Sequence, residues 1–137
     1  QFFGIIDSRA PITLDGVAAS VLQLPVGALT LSNGANNNIG IPKKSFVRIT
    51  GPSGSFNITG ITKPAAASST NNPDGTLLIL YNSTAQAITI TNDSGSSTAA
   101  NRIYTNTGSD VATTGRGTVV FIYSVTDARW ILVSLAA

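Results

Sequence analysis

The 137-residue chain contains no cysteine, methionine, histidine or glutamate. Without cysteine it can form neither a disulfide nor a thiolate metal site. Without histidine it lacks the side chain that most often transfers protons near neutral pH, so serine–histidine and cysteine–histidine nucleophiles are excluded. Transition-metal sites usually need one of these two residue types. We therefore expect a protein that is not an enzyme and that has no metal or other cofactor.

Charged residues are also scarce, at 10% of the chain, against about 25% in an ordinary soluble domain. The basic residues are scattered, and only Lys43 and Lys44 are adjacent, so no nucleic-acid-binding patch is predicted. A neutral surface rich in serine, threonine and asparagine can pack against copies of itself without burying many charges.

The only acidic side chains are six aspartates, each beside glycine, serine or threonine in a predicted turn or loop. They are Asp7, Asp15, Asp74, Asp93, Asp110 and Asp127. We interpret them as turn-capping residues and not as a glycosidase pair or a calcium site. No apolar run is long enough to span a bilayer, so membrane insertion is not expected.

Short apolar or alternating segments, separated by glycine, proline and asparagine, predict about ten short strands. The pattern favours a single all-β domain over residues 1–137, an antiparallel β-sandwich of jelly-roll type. In Phe46–Thr50, Val47 and Ile49 share one face, and residues 55–61 are expected to return as the hairpin partner. Asn33–Asn38 is interpreted as a loop. No repeat of 20 to 50 residues is evident, so a solenoid is not expected.

The first residues are apolar and are expected to contact another subunit. Residues 1–20 are predicted to be an N-terminal arm or an oligomer contact, because an exposed apolar segment promotes aggregation unless it is covered. The candidate contact residues are Phe2, Phe3, Ile5 and Ile6.

Most aromatic residues lie within predicted strands, which favours core packing. A sugar-stacking platform made by Tyr81, Tyr104 or Trp130 is the alternative interpretation, because a flat aromatic ring with a polar edge suits both environments.

A series of short motifs runs in order through residues 74–134. The dipeptide Asp74-Gly75 precedes an apolar strand that ends at Asn82, an Asn-Arg-Ile segment occupies 101–103, and Tyr123 is followed after five residues by Arg129-Trp130. This pattern resembles a β domain of tail fibres and related appendage proteins of bacteriophages. The resemblance implies a virion structural protein that forms a homotrimer on the virion surface.

The motif residues have structural roles of their own. Gly75 can take a positive φ in a tight turn, and Asn82 ends a strand by bonding to its own backbone. Arg102 is expected either to pair with Asp127 or to cap carbonyls near the hairpin from Tyr123 to Arg129. Trp130 is expected to close the core beneath that hairpin.

The leading hypothesis is a tail-fibre, spike or head-fibre domain that assembles as a homotrimer, contacts other virion proteins and meets a host cell-surface glycan. One rival is a self-assembling subunit of an extracellular coat or filament, in which residues 2–6 add a strand to a neighbour. A second rival is a carbohydrate-binding module. The expected location is the virion surface or the extracellular space.

Overall fold

The computed structural model describes residues 23–66 and 72–136. Within these ranges the chain forms ten short strands and one 3₁₀ turn at Ala99–Asn101, and no helix is long and apolar enough to cross a membrane. The strands are β1 (Val26–Thr30), β2 (Gly34–Asn36), β3 (Phe46–Thr50), β4 (Phe56–Ile58), β5 (Leu77–Asn82), β6 (Ile88–Ile90), β7 (Ile103–Tyr104), β8 (Val111–Ala112), β9 (Gly117–Ser124) and β10 (Arg129–Ala136). The all-β prediction is confirmed.

The strands form two mixed sheets. A six-stranded sheet has the order β1-β3-β5-β9-β10-β7, and a four-stranded sheet has the order β2-β4-β6-β8. Pairing is parallel for β1–β3, β3–β5, β7–β10, β2–β4 and β4–β6. It is antiparallel for β5–β9, β9–β10 and β6–β8. The prediction that all strands pair antiparallel is therefore wrong. The prediction of about ten short strands is confirmed.

The parallel pairs arise because three consecutive strand pairs are stacked. Each pair begins in the six-stranded sheet and continues in the four-stranded sheet, and we call these units coil 1 (residues 26–36), coil 2 (46–58) and coil 3 (77–90). Val26 pairs with Phe46 and Phe46 with Ile79, while Gly34 pairs with Phe56 and Phe56 with Ile88. Equivalent strands thus lie directly beside one another, as in a short solenoid.

This stacking corrects two sequence interpretations. Residues 46–50 and 55–61 were predicted to form a hairpin, but β3 and β4 belong to different sheets and pair with strands of other coils. The repeat was missed because its spacing is unequal: Phe46 follows its partner Val26 by 20 residues, and Ile79 follows Phe46 by 33. A fixed-period comparison cannot align coils whose connecting loops differ this much in length.

One hydrophobic core is built from residues of both sheets. Val47 and Ile49 are fully buried, which confirms the predicted inner face of β3. The other core residues are Leu31, Ile39, Phe56, Ile58, Ile61, Leu78, Leu80, Ile88, Ile90, Ile103, Val119, Phe121, Tyr123, Trp130 and Leu132. Since a fully buried aliphatic side chain contributes roughly 1.5–3 kcal/mol, this shared core stabilises both sheets together.

The hairpin of β9 and β10 closes the core with aromatic side chains. The Trp130 ring meets Tyr123 and Phe121 edge to face, with centroids 5.3 and 6.4 Å apart. The indole nitrogen of Trp130 donates to the carbonyl of Ile61 at 2.9 Å, and the Tyr123 hydroxyl donates to the carbonyl of Ala100 at 3.1 Å. Both polar atoms are satisfied, as the burial of the two rings requires. The expectation that Trp130 closes the core beneath the hairpin is confirmed.

The segment that follows β4 passes too close to Ser97 and the 3₁₀ turn for any residue but glycine at position 60. A Cβ built on Gly60 would lie 2.5 Å from Ser97 Cβ and 2.7 Å from the Asn101 carbonyl oxygen. Ser97 cannot easily move, because its hydroxyl shares a 2.9 Å hydrogen bond with Thr59 and accepts from the backbone N–H of Asn38 at 3.1 Å.

We expect Gly60→Ala to lower the free energy of unfolding by about 1–3 kcal/mol, because the added methyl group overpacks a contact that cannot relax. The measurement is urea denaturation of the variant and the parent. Gly95→Ala is the control, since no atom lies within 4 Å of its Cβ position and surface substitutions usually change stability by less than about 0.5 kcal/mol. Equal effects of the two substitutions would contradict the tight contact.

Burial also predicts how stability depends on pH. Desolvation raises the pKa of Tyr123 above its ordinary value of 10.0, with a smaller opposing effect of Arg129. The neutral phenol is therefore favoured in the folded state. Above pH 10 the unfolded chain loses this proton while the folded chain retains it, so stability falls as pH rises through the raised pKa. Below pH 10 this contribution is fully present.

We expect the free energy of unfolding to decrease above about pH 10, and Tyr123→Phe to make that decrease shallower. Near pH 7 the variant should lose about 0.5–1.5 kcal/mol with the hydrogen bond to Ala100. Chemical denaturation between pH 7 and 11 measures both quantities. Tyr104→Phe is the matched control, because Tyr104 is 37% exposed. A pH dependence that is identical in the parent and the Tyr123 variant would refute the assignment.

Candidate functional site

Two continuous apolar rows cross the outward surface of the six-stranded sheet, which we call the outer face. In each row the side chains are direct cross-strand neighbours, and such neighbours lie about 4.5–5.5 Å apart at their Cβ atoms. The first row is Val26, Phe46, Ile79 and Val120. The second row is Leu77, Ile122, Ile131 and Tyr104.

The exposure of these rows is concentrated on one side of the molecule. Within the described ranges every exposed large hydrophobic residue belongs to the six-stranded sheet, and none belongs to the four-stranded sheet. They are Val26, Leu77, Tyr104, Ile122 and Val133, which are 62, 37, 37, 39 and 52% exposed. Scattered apolar residues need no explanation, but a contiguous patch of them usually marks a contact surface.

The continuous apolar run in β5 is explained by the apolar character of both faces of this strand. Leu78 and Leu80 point into the core, while Leu77, Ile79 and Tyr81 belong to the outer face. A strand with one solvated face normally alternates between apolar and polar residues. The failure of that alternation in β5 indicates that its second face is also suited to burial.

The strands of the outer face carry two arginines and no carboxylate. No aspartate lies in any of the ten strands. The guanidinium carbon of Arg48 lies 5.1 Å from the ring centroid of Tyr81, and that of Arg129 lies 5.1 Å from the ring centroid of Tyr104. Stacking of this kind holds the cation over one aromatic face and leaves the other face without an arginine.

Trp130 does not belong to a sugar platform, because it is only 2% exposed and lies in the core. The sugar-platform interpretation is therefore wrong for Trp130, and it stays a prediction for Tyr81 and Tyr104.

A pair of arginines meets one aspartate at the edge of the outer face. Arg129 Nε donates to Asp93 Oδ1 at 3.0 Å, and Arg102 Nη1 lies 3.7 Å from the same oxygen. Arg102 Nε also donates to the Ser97 carbonyl at 3.0 Å. The predicted pairing of Arg102 with Asp127 is wrong, because Asp127 instead accepts from the Ser124 hydroxyl within its own turn. The sequence placed Asp93 in a loop and gave no signal that it joins two arginines.

The turn at Asp74-Gly75 is confirmed, with Gly75 at a φ of 76°. Asp74 does more than shape its own turn, because its Oδ1 accepts from the backbone N–H of Val125 at 2.8 Å. The N–H of Gly75 donates to the Tyr123 carbonyl at 2.8 Å. These two bonds tie the start of coil 3 to the β9–β10 hairpin.

Asn82 is fully buried at the end of β5. Its Oδ1 accepts from the N–H and the hydroxyl of Thr84 at 3.1 and 2.8 Å, which confirms the predicted bonding to its own neighbouring backbone. Its Nδ2 donates to the carbonyls of Gln86 and Gly115 at 2.8 and 3.0 Å. The side chain therefore fastens the β5–β6 corner to the start of β9 and has a structural role.

Each aspartate that the structure describes is engaged in a turn or an ion pair. Asp74 and Asp110 accept from backbone N–H groups, Asp93 pairs with arginine, and Asp127 accepts from serine. Among residues 23–66 and 72–136 no three potential ligand side chains come together in a way that could hold a metal ion. The candidate oligomer residues Phe2, Phe3, Ile5 and Ile6 lie outside the described residues.

No protein-family model matches the chain, and no curated protein sequence matches it at a significant level. The similarity to bacteriophage appendage domains therefore remains a matter of short motifs. Most of those motif residues, namely Asp74, Gly75, Asn82, Tyr123 and Trp130, form the turns, corners and core that hold the outer face in position.

Proposed function

We propose that this protein is a non-catalytic structural subunit whose outer face binds copies of itself, and that it forms a homotrimeric part of a virion appendage such as a tail fibre, spike or head fibre. The observation that carries the proposal is the pair of apolar rows across the six-stranded sheet. We also infer that the two sheets pack face to face as a sandwich around their shared core.

The size of the outer face suits an interface. Six strands with spacings near 4.8 Å give a width of about 24 Å. The core of a stable protein–protein interface is depleted of charge and enriched in aromatic and large aliphatic residues. The two rows meet that description, since they contain only aliphatic and aromatic side chains and have no carboxylate from any strand.

The proposed occupant of this face is a second copy of the chain, because the two rows are apolar and the charges beside them are already engaged. Arg129 is paired with Asp93, and Arg48 is stacked on Tyr81. Two apolar rows gain little from electrostatic steering by an acidic or basic partner. A copy of the same chain offers equally apolar rows, and closed rings of such copies bury them completely.

The motifs of residues 74–134 supply the virion context of the proposal, with a place on the virion surface and contacts to other virion proteins. A filament or coat subunit remains the alternative, favoured by the open outer edge of β1, which has no neighbouring strand among the described residues. Such an edge can receive a strand from another chain. The two functions differ in assembly, because a trimer is closed and a filament is open-ended.

We expect the parent protein to have the mass of a trimer in solution, about 42 kDa for a chain of 14.0 kDa. We expect Ile122→Lys to shift the population to monomers, because burial of one unpaired charge at the centre of a row costs several kcal/mol. Light scattering coupled to size-exclusion chromatography measures the mass, and circular dichroism checks the fold.

Ala112→Lys is the matched control, since Ala112 is exposed in β8 of the four-stranded sheet. It should leave the mass of the assembly unchanged. A monomeric parent protein, or an assembly equally sensitive to both lysines, would contradict the role of the outer face. Open-ended polymers in place of a trimer would favour the filament alternative.

Deletion of residues 1–6 tests the proposed contribution of the N-terminal apolar segment. We expect the deletion to weaken the assembly, so that the trimer dissociates at a higher protein concentration than the parent, because the apolar contacts of Phe2, Phe3, Ile5 and Ile6 are lost. The mass is measured over a dilution series. An identical dissociation profile would show that these four residues are not an oligomer contact.

A further inference from the structure

All three lysines of the chain line one surface cleft. Lys43 and Lys44 are adjacent in the loop before β3, and the structure brings Lys63 from the loop after β4 to the same cleft. The cleft has a volume of about 630 Å³, which is within the range of roughly 300–1,000 Å³ that is typical of small-ligand sites. Lys63 is separated from the other two lysines by about twenty residues, so their convergence was not visible in the sequence.

The other lining residues divide into two chemical groups. Ser45, Thr62 and Thr76 supply hydroxyl groups. Pro25, Pro42, Pro64 and Ile41 supply aliphatic surface. Trp130 forms part of the lining but is only 2% exposed, so it offers no aromatic face on which a nucleobase could stack.

No carboxylate balances these lysines among the described residues. The lining includes no aspartate, and the ion pairs found within the described ranges join Asp93 to Arg102 and Arg129. Three lysines that line one cleft with no described carboxylate among the lining residues create a positive potential there, which concave walls of low polarity strengthen. Such a site attracts ligands that carry oxyanions.

The backbone that carries the lysines is fixed by short contacts. The N–H of Lys63 donates to Asn101 Oδ1 at 2.8 Å, and the N–H of Lys44 donates to the Pro42 carbonyl at 2.6 Å. Gly27 packs directly beneath this loop, since a Cβ at that position would lie 2.7 Å from Pro42 Cγ and 3.2 Å from Lys44 Cγ. A site held in this way loses little conformational freedom when a ligand binds.

We propose that this cleft is a binding site for an acidic saccharide, with the three lysines contacting its carboxylate, sulfate or phosphate groups. Ser45 then bonds to a sugar hydroxyl group. Thr62 accepts from another, because its own proton is donated to the Asn38 carbonyl at 3.0 Å. The proline and aliphatic walls pack against the C–H faces of the ring. Because lysine is a point charge and not a planar fork, the site selects negative charge more than one particular oxyanion geometry.

The test measures binding of trigalacturonate to the full-length protein by isothermal titration calorimetry at low ionic strength. We expect saturable binding that weakens as salt is added, because salt screens exposed charges. The methyl ester of trigalacturonate is the matched neutral probe and should bind at least tenfold more weakly. A sulfated trisaccharide and inorganic tripolyphosphate distinguish the saccharide from the bare oxyanion.

Substitutions assign the binding to the cleft. Lys63→Gln should raise the dissociation constant for trigalacturonate about tenfold, and the double variant Lys44→Gln/Lys63→Gln should abolish detectable binding. Lys63→Arg retains the charge and should stay within about threefold of the parent. Arg116→Gln removes one exposed positive charge that is not part of the cleft and should have no effect.

Three results would overturn the proposal: equal affinity for trigalacturonate and its ester, unchanged affinity in the double lysine variant, or saturable binding of tripolyphosphate without binding of any acidic saccharide. The mass of the assembly is measured for the same variants. It should not change, so failure of the saccharide site and failure of the self-assembly proposal give different results.

Discussion

The stacking of coils 1, 2 and 3 is the constraint on which the remaining structure depends. Each coil sends one strand into each sheet, so the inward side chains of both sheets are brought into one core. The stacking also places Val26, Phe46 and Ile79 side by side on the outer face. The β9–β10 hairpin extends the same rows, because β9 pairs with β5 in the register that continues them. A strand displaced by one residue would turn its core residues outward.

Asparagine side chains stabilise the connections that this stacking requires. Asn33 Oδ1 accepts from the N–H groups of Ser53 and Gly54, both at 2.9 Å, and so joins coil 1 to coil 2. Asn38 Oδ1 accepts from the Thr98 N–H at 2.8 Å, and Asn92 bonds to the loop that precedes β8. Part of the polar composition that substitutes for charge in this sequence is thus used at the connections between coils, where amides satisfy backbone groups that short strands leave unpaired.

The sequence predicts local structure here much better than it predicts pairing. The faces of Phe46–Thr50, the turn at Asp74-Gly75 and the final hairpin follow from alternation and turn chemistry, which act over a few residues. Pairing depends on contacts across 20 or 33 residues, and alternation is the same for parallel and antiparallel partners. Composition alone also marked 33–38 as a loop, whereas Gly34–Asn36 forms β2 because a neighbouring coil provides its hydrogen-bond partners.

In the candidate sites, too, the sequence predicts local structure and not the contacts between residues that are distant along the chain. Aspartate in a turn is recognisable from its neighbours, but the partner of Asp93 is set by how β7 and β10 lie in the sheet.

Among the described residues the outer side of β1 has no neighbouring strand, and this bears on how the stack of coils can lengthen. Because coil 1 pairs with coil 2 through both of its strands, one more unit placed beside coil 1 would extend both sheets without altering the register of the coils already present. The stack is therefore modular along its axis, and its length changes by whole coils while its cross-section stays the same.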